Sequence, residues 1–177
     1  MEADAIEITL AHDTVKCLHI YNPDANININ EFDQLINQMG RKFIVVGDLN
    51  AHHAIWDPNL DPTKVNQGGR ALANYLINHP GMSLITTPGL GTHSHITYRG
   101  SSVSTIDLSF GSNNLIQLCN TTKLAGIGSD HYPVLTTVNL APEVTPRRKR
   151  KKMEKQKYKL GNMEKGIRTI HHTLQHR

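Results

Sequence analysis

The chain has 177 residues, 38% of them hydrophobic, and a formal net charge of +4. No run approaches the roughly 18 consecutive apolar residues of a transmembrane helix, and the acidic residues 1–5 are followed by no apolar segment of a secretory signal. These patterns predict a protein that neither crosses a membrane nor is secreted. The two cysteines, Cys17 and Cys119, lie in apolar strand-like runs and are expected to be buried, reduced thiols of an intracellular protein.

The mild net charge is the sum of two regions of opposite sign. Residues 1–146 contain 7 basic and 13 acidic side chains, a net charge of −6. Residues 147–177 contain 12 basic and 2 acidic side chains, a net charge of +10. The sequence therefore predicts an acidic body, which is large enough to bury one modest core, followed by a strongly basic tail.

The first predicted elements are two strands and a helix. Residues 6–10 and 15–21 are β-rich runs on either side of a polar segment, which indicates a hairpin. Asn30 is expected to cap a helix that ends at Gly40. Its apolar residues share one face: Phe32, Leu35, Ile36 and Met39.

The remaining pattern alternates strands with one more helix. The continuous apolar run 43–46 is typical of a buried strand, and a second helix is predicted over 69–78. Further strands are predicted at 83–86, 95–98, 104–110 and 134–140, with less regular patterns at 115–118 and 123–125. This alternation predicts an α/β fold in which the helices cover sheet faces. The tail loses apolar periodicity and is expected to be disordered or weakly helical.

A first cluster of polar side chains follows the strand at 43–46. In an extended segment Asp48 and Asn50 point the same way, and Leu49 turns into the core. A carboxylate beside a carboxamide makes a hard oxygen site that suits Mg²⁺ or a positioned water. The alternative is a turn in which both side chains cap local backbone groups.

Two further clusters lie beside later strands. Asp107 has apolar neighbours inside a strand, where a carboxylate is costly to bury unless it is paired or binds a metal; alternatively it faces solvent. Asp130 and His131 precede the strand at 134–140. Such a pair suits a metal and a phosphate oxygen, as phosphate-ester cleavage requires, although an isolated Asp-His pair is also common in turns.

Several other kinds of site are not indicated. The sequence has no Cys-x-x-Cys pair for zinc, no phosphate-binding glycine loop and no Gly-x-Ser-x-Gly nucleophile motif. His93 and His95 would face the same side of a strand, but no third ligand is near them in sequence. The tail histidines His171, His172 and His176 are expected to be solvated.

The three clusters, in this order, closely resemble the endonuclease/exonuclease/phosphatase superfamily, and specifically the apurinic-like endonuclease domain of non-LTR retrotransposons. The segments that carry the resemblance are Gly-Asp-Leu-Asn-Ala-His-His at 47–53, Thr-Ile-Asp-Leu-Ser-Phe at 105–110 and Ser-Asp-His-Tyr-Pro-Val at 129–134. The Tyr-Asn-Pro at 21–23, the Gly-Gly-Arg at 68–70 and the Thr-Tyr-Arg at 97–99 also fit. The resemblance covers about residues 5–140.

The resemblance implies a role for each matched residue. Asp48 would orient or deprotonate the attacking water, and Asn50 would position the scissile phosphate. Asp107 would orient His131, which would contact the phosphate. Asp130 would join Asp48 at a Mg²⁺ or Mn²⁺ site, and Tyr21 would hydrogen-bond the phosphate. The implied reaction nicks one DNA strand and leaves a 3′-hydroxyl, which in such elements primes reverse transcription.

The same resemblance implies a four-layer α/β sandwich of two β-sheets flanked by helices, here incomplete. No segment matches the family's first strand, which carries an Asn, or its second strand, which ends in a metal-binding Glu. The sequence is therefore expected to be an N-terminally truncated domain at 1–141, followed by a basic tail at 142–177. Loss of a metal carboxylate leaves an alternative to the endonuclease: an inactive fragment that at most binds nucleic acid through its tail. A phospholipid- or inositol-phosphate-directed branch of the superfamily is disfavoured by the Ala-His-His and Asp-His-Tyr-Pro details.

The basic tail has its own alternatives. The run at 147–152, Arg-Arg-Lys-Arg-Lys-Lys, is either a solvated, disordered segment or a patch for nuclear import or nucleic-acid binding. A nuclear location and a DNA substrate are expected. The sequence does not indicate the oligomeric state.

Overall fold

Strands account for most of the regular structure. The computed structural model describes residues 1–9, 14–98 and 100–140, only the backbone of Thr97, and the backbone of 167–171. The strands are β1 (Glu2–Thr9), β2 (Thr14–Tyr21), β3 (Phe43–Asp48), β4 (Met82–Leu84), β5 (His93–Thr97), β6 (Gly100–Ser104), β7 (Asp107–Ser112), β8 (Cys119–Lys123), β9 (Val134–Val138) and β10 (Ile167–His171). The helices are α1 (Ile29–Met39), α2 (Gln67–Asn78) and the short α3 (Asn113–Ile116), with a 3₁₀ turn at Pro62–Lys64.

Six strands form one mixed sheet in the order β10-β1-β2-β3-β7-β4. Strands β1 and β2 form the predicted antiparallel hairpin, and α1 connects the parallel pair β2 and β3. Strand β7 then pairs antiparallel with β3, in a register that sets Asp48 opposite Asp107. Two of the predicted polar clusters are thus brought together by strand pairing. Two separate ribbons, β5–β6 and β8–β9, complete the described sheets.

The two faces of the sheet are covered differently. Helices α1 and α2 pack on one face, where their apolar side chains join the larger core with residues such as Phe32, Leu72 and Tyr75. The other face carries a smaller core around Val15 and Leu115, over which the β8–β9 ribbon folds. Between this face and the ribbon lies an open groove of about 720 Å³. The predicted α/β class is confirmed, although the flanking helices are few.

Helix α1 begins earlier than the sequence predicted. Its N-cap is Asn28, not Asn30: the Asn28 side chain accepts hydrogen bonds from the backbone N–H groups of Asn30 and Glu31, at 3.2 and 3.4 Å. Both asparagines are good capping residues. Asn28 takes the role because a helix that starts at Ile29 packs that side chain against the core.

The single strand predicted over 104–110 is in fact two strands, β6 and β7. The intervening residues leave the ladder because their N–H groups bond to side chains. Thr105 donates to Asp57 Oδ2 at 3.3 Å, and Ile106 donates to Thr92 Oγ1 at 3.1 Å. The 115–118 pattern is also not a strand, since α3 and the turn after it bury Leu115. Asp107 therefore stands at the start of a strand rather than in its middle.

The structure describes the basic tail only in part. Residues 167–171 form strand β10, which pairs parallel with β1 from Ala3 opposite Ile167 to Glu7 opposite His171. Residues 141–166 and 172–177 lie outside the described residues, so the division into a domain and a basic tail stays a prediction.

Both cysteines are free thiols but only partly buried, and this burial raises the pKa of Cys17 and of Cys119. In the described part of the chain, no helix is long and apolar enough to span a bilayer.

Candidate active site

The site lies where β3 and β7 end beside each other. Asp48 is the last residue of β3 and Asp107 the first of β7, and their side chains are 17% and 21% exposed. Neither carboxylate is fully open to solvent, and Asp107 is partly exposed at the edge of the groove. Two half-buried carboxylates on neighbouring strands repel each other unless a cation or a hydrogen-bond donor lies between them.

The loop after Asp48 brings Asn50 to the same place by a different route from the one predicted. The segment is not extended, because Asn50 has the left-handed φ of 46°, which asparagine tolerates better than most residues. Leu49 is buried as expected. The turn points the amide of Asn50 back at Asp48, with Nδ2 3.4 Å from Oδ2. Asp48 also accepts the backbone N–H of Asn50 at 3.0 Å, so the capping alternative describes part of its role.

His131 joins the two carboxylates. Its Nδ1 lies 3.0 and 3.2 Å from the two carboxylate oxygens of Asp107, and its Nε2 lies 3.9 Å from Asp48 Oδ2. The first contact is a hydrogen bond that holds the ring, and the second leaves Nε2 directed into the site. Three residues predicted separately thus form one Asp-His-Asp group.

Burial changes the acid-base character of Asp48. Desolvation raises the pKa of Asp48 above its usual range, and the Asp107 carboxylate raises it further. The hydrogen bond from the Asn50 backbone and the nearby His131 act in the opposite direction. A carboxylate whose proton affinity is increased in this way is better suited to accept a proton from water than an exposed one.

Two buried residues that the sequence analysis missed position these side chains. Asn22 is 1% exposed, and its Nδ2 donates to the Leu49 carbonyl at 3.1 Å while its own carbonyl accepts from Asn50 Nδ2 at 3.1 Å. Thr92 is fully buried, and its hydroxyl accepts the Asp107 N–H at 3.0 Å. The sequence signal for Asn22 was its place directly after a strand; Thr92 carried no local signal.

The N-terminus of α2 holds the loop after Asn50. The Asn66 side chain caps the helix by accepting from Gly69 N–H at 2.7 Å, accepts from His52 N–H at 3.1 Å, and donates to the Asn50 carbonyl at 2.6 Å. Gly69 lies so close to the His52 carbonyl that a Cβ there would clash with it. The Gly-Gly sequence therefore permits the helix to approach the site. Burial lowers the pKa of His52, which keeps this imidazole neutral.

The last two predicted residues lie at the rim of the site. Tyr21 ends β2 and is 41% exposed, and the N–H of the next residue, Asn22, donates to the Asp48 carbonyl at 2.9 Å. Asp130 is exposed, with Oδ2 3.6 Å from His93 Nε2. Backbone and Ser129 hydrogen bonds lower the pKa of Asp130, so it is ionised at neutral pH.

Two groups of side chains in the described part of the chain have the spacing of metal ligands. Asp48, Asp107 and His131 form one, and His93, Asp130 and His131 form the other; in each, one possible ligand atom per residue lies within 4.8 Å of the others. The first group fits a hard divalent cation, which is commonly bound through one or two carboxylates. Asp48 and Asp130, expected at one metal site, fall in different groups.

This sheet and this Asp-His-Asp group define the class of protein as the endonuclease/exonuclease/phosphatase fold. The family model described as endonuclease-reverse transcriptase matches residues 15–135, and the chain belongs to that family. This confirms the family predicted from the three polar clusters.

Individual relatives agree with this assignment. The chain is 32% identical over 121 residues to the probable RNA-directed DNA polymerase from transposon X-element of Drosophila melanogaster. The matched segment covers 68% of this chain and 13% of that protein. Its fold is similar to the endonuclease domain of TRAS1, a telomere-specific non-LTR retrotransposon, with a TM-score of 0.61 and 18% identity, covering 75% of this chain and 61% of that one. The Xenopus laevis APE2 catalytic domain gives a TM-score of 0.52 and 20% identity, covering 76% of this chain and 52% of that one. The chain thus spans only part of each relative's length.

Proposed function

We propose that this chain carries the centre of a divalent-metal-dependent endonuclease that nicks DNA, as part of a non-LTR retrotransposon. The observation that supports this most strongly is the hydrogen bond from His131 Nδ1 to Asp107, with Nε2 directed toward Asp48. Phosphodiester hydrolysis needs a proton acceptor for water and a group that binds the developing negative charge. These three side chains supply both functions within one hydrogen-bonded group.

In this proposal each residue acts at a defined atom. Asp107 holds the His131 ring by accepting Nδ1–H, and in this proposal the ring carries a proton on Nε2 as well, which it donates to a phosphate oxygen. Asp48, with its raised pKa, orients the attacking water and accepts its proton. Asn50 positions the phosphate through its amide, and Tyr21 reaches the phosphate from the rim through its hydroxyl.

Mg²⁺ or Mn²⁺ fits the oxygen donors of Asp48 and Asp107. Such an ion, when bound, neutralises charge on the phosphate oxygens and relieves the repulsion between the two carboxylates. Asp130 lies farther out, exposed beside His93, and belongs to the other group of possible ligands.

The basic tail is proposed to bind DNA. Residues 147–152 carry six consecutive positive charges and would bind the DNA backbone irrespective of sequence. The body has a net charge of −6, so it needs such a partner region, or metal, to approach DNA. The same basic run suits nuclear import, and a nuclear location is part of the proposal.

Nicking of supercoiled plasmid by the full chain tests the function. We expect conversion to the open circle with Mg²⁺ or Mn²⁺, none with EDTA, and a nick that a DNA polymerase can extend because it ends in a 3′-hydroxyl. Asp48→Ala and His131→Ala should each abolish it. His79→Ala is a matched control, because His79 also lies near a carboxylate, 3.5 Å from Asp33 Oδ1, but away from the site.

Absence of nicking at every metal concentration would contradict the proposal. If such a chain still bound DNA, the alternative of an inactive, nucleic-acid-binding fragment would be correct. Equal loss in His79→Ala and His131→Ala would show that the fold, rather than the site, had been disturbed.

A further inference from the structure

His93 of β5 gains partners that its sequence position did not indicate. His93 Nε2 lies 3.6 Å from Asp130 Oδ2, and the His93 and His131 rings are 4.6 Å apart. Backbone hydrogen bonds from Ser94 N–H to the Asp130 carbonyl and from Tyr132 N–H to the Thr92 carbonyl, both 2.7 Å, hold the two segments together. Two imidazoles and a carboxylate from segments far apart in sequence therefore meet at one point.

Both imidazoles are oriented as metal ligands usually are. A metal-bound histidine uses one ring nitrogen and donates the other N–H to a neighbouring oxygen. His131 Nδ1 is held by Asp107 at 3.0 Å, and His93 Nδ1 lies 3.4 Å from the Ser104 hydroxyl. Each ring therefore has Nε2 left to bind an ion. Asp130 is exposed, so its carboxylate is available at the rim.

We infer that His93, Asp130 and His131 form a binding site for a borderline transition metal of the Zn²⁺ and Co²⁺ type, separate from the proposed Mg²⁺ site. The ligand set decides the class of ion, because imidazole suits Zn²⁺ and its neighbours whereas Mg²⁺ requires mainly oxygen ligands. The 3.6 Å between His93 Nε2 and Asp130 Oδ2 is close to the separation of two ligands on one such ion, whose bonds are each about 2.0–2.2 Å long. Two histidines and one carboxylate leave positions on the ion open for water.

A metal ion bound by His93, Asp130 and His131 would change the chemistry at the neighbouring Asp48–Asp107–His131 group. This part of the inference rests on the proposed function. His131 belongs to both groups and has one free nitrogen, Nε2. A transition metal on Nε2 removes the donor that His131 would present to the phosphate. The metal therefore inhibits Mg²⁺-supported nicking, and His93 and Asp130 determine the sensitivity to it.

Metal binding is measured first, without DNA. The full chain is titrated with Co²⁺ alone and followed by its visible absorption, and with Zn²⁺ alone by calorimetry. The tail histidines His171, His172 and His176 are replaced by Ala in every sample so that the tail offers no imidazole to the ion. We expect one Co²⁺ per chain, with affinity reduced roughly 10- to 100-fold or more by His93→Ala, since even loss of an outer-shell partner has an effect of that size.

His95→Ala is the matched control. His95 lies two residues away on the same strand and carries the same imidazole, but it belongs to neither ligand group. Asp130→Asn is the second test variant, because its side chain is 68% exposed and its replacement does not threaten the fold. Co²⁺ binding unchanged in both His93→Ala and Asp130→Asn, or weakened equally by His95→Ala, would overturn the inference. Far-UV circular dichroism confirms that each variant is folded.

The nicking assay then separates this inference from the proposed function. If the chain nicks DNA with Mg²⁺, added Zn²⁺ should inhibit it, and His93→Ala should need at least about ten times more Zn²⁺ for the same inhibition. Co²⁺ binding that depends on His93, in a chain that does not nick DNA, supports the metal site and contradicts the proposed function. Nicking by a chain whose Co²⁺ binding does not depend on His93 supports the proposed function and contradicts the metal site.

Discussion

His131 Nδ1 lies 3.0 Å from Asp107 Oδ2, although the two residues are 24 positions apart in the chain. The contact depends on two separate pairings. Strand β7 places Asp107 beside β3, and the bridge between His93 and His131 holds the imidazole over the same end of the sheet. An aspartate in this position accepts a hydrogen bond from Nδ1 and so fixes the orientation of the ring.

We predict that Asp107→Asn lowers the rate of nicking by roughly 10²- to 10⁴-fold, the usual contribution of a positioned acid-base group. The neutral asparagine amide cannot stabilise a His131 ring that is protonated on both nitrogens, as the Asp107 carboxylate does. The measurement is the initial rate of plasmid nicking at saturating Mg²⁺. The same substitution at Asp61, an exposed aspartate that caps the 3₁₀ turn, should leave the rate unchanged. An unchanged rate in Asp107→Asn would mean that His131 needs no orienting partner.

We predict that Asp48→Asn makes the protein more stable at neutral pH while it abolishes nicking. The pKa of Asp48 is raised in the folded state, chiefly by desolvation, so the folded chain binds the proton more tightly than the unfolded chain. The contribution of Asp48 to stability is therefore fully present below its unfolded pKa of 3.8 and is lost as the pH rises through its folded pKa. An uncharged asparagine avoids that loss and should raise Tm at pH 7 by a few degrees, on the order of 2–4 °C.

Thermal unfolding at several pH values checks this prediction. The advantage of Asp48→Asn should shrink as the pH is lowered toward 4, where the native carboxylate becomes protonated. Asp61→Asn should not raise Tm, since hydrogen bonds from Thr63 lower the pKa of Asp61 instead. A Tm for Asp48→Asn below that of the native chain at pH 7 would contradict the assigned direction of the shift.

We predict that Thr92→Val destabilises the fold by roughly 1–3 kcal/mol and slows nicking. The substitution keeps the shape of the side chain but removes the hydroxyl that accepts the N–H groups of Ile106 and Asp107, at 3.1 and 3.0 Å. Thr92→Ser keeps the hydroxyl and should lose far less stability in urea unfolding. Equal losses in the two variants would show that the threonine methyl group, rather than its hydroxyl, matters.

We predict that replacing all six residues of the basic run 147–152 by Gln weakens DNA binding and makes it less dependent on salt. Each phosphate contact contributes about −0.9 to the slope of log K against log salt, so loss of six contacts reduces the slope by up to about 5. Binding of a labelled duplex across a salt series gives both quantities. A charge-conserving control replaces Arg147, Arg148 and Arg150 by Lys and should keep the slope. Unchanged affinity in the Gln variant would exclude this run from the DNA-binding surface.

Much of the fold and the main site residues could be predicted from local sequence. The apolar face of α1 and the buried run in β3 follow from the spacing of hydrophobic residues. The polar clusters at 48–50, 107 and 130–131 lie in or beside strand-like runs, where a buried polar side chain needs a partner. Three of these residues, Asp48, Asp107 and His131, do meet.

Local sequence was less informative wherever a tertiary contact competed with a local preference. Asn28 replaces Asn30 as the helix cap because Ile29 packs into the core. The predicted strand at 104–110 breaks because buried side chains from distant loops, Asp57 and Thr92, take the N–H groups of Thr105 and Ile106. No local pattern encodes such partners, since they lie 14 to 48 residues away.

The amino-acid sequence by itself determined the charge division, the order of the polar clusters and their oxygen and imidazole chemistry. Only the tertiary structure decided which of these side chains lie close enough to share an ion or a proton. Strand register set Asp48 opposite Asp107, and the bridge between His93 and His131 placed Asp130 beside His93. The physical reason is that side-chain periodicity depends only on burial within one helix or strand. Distances of 3 to 4 Å between side chains of different elements depend on how the whole sheet pairs and packs.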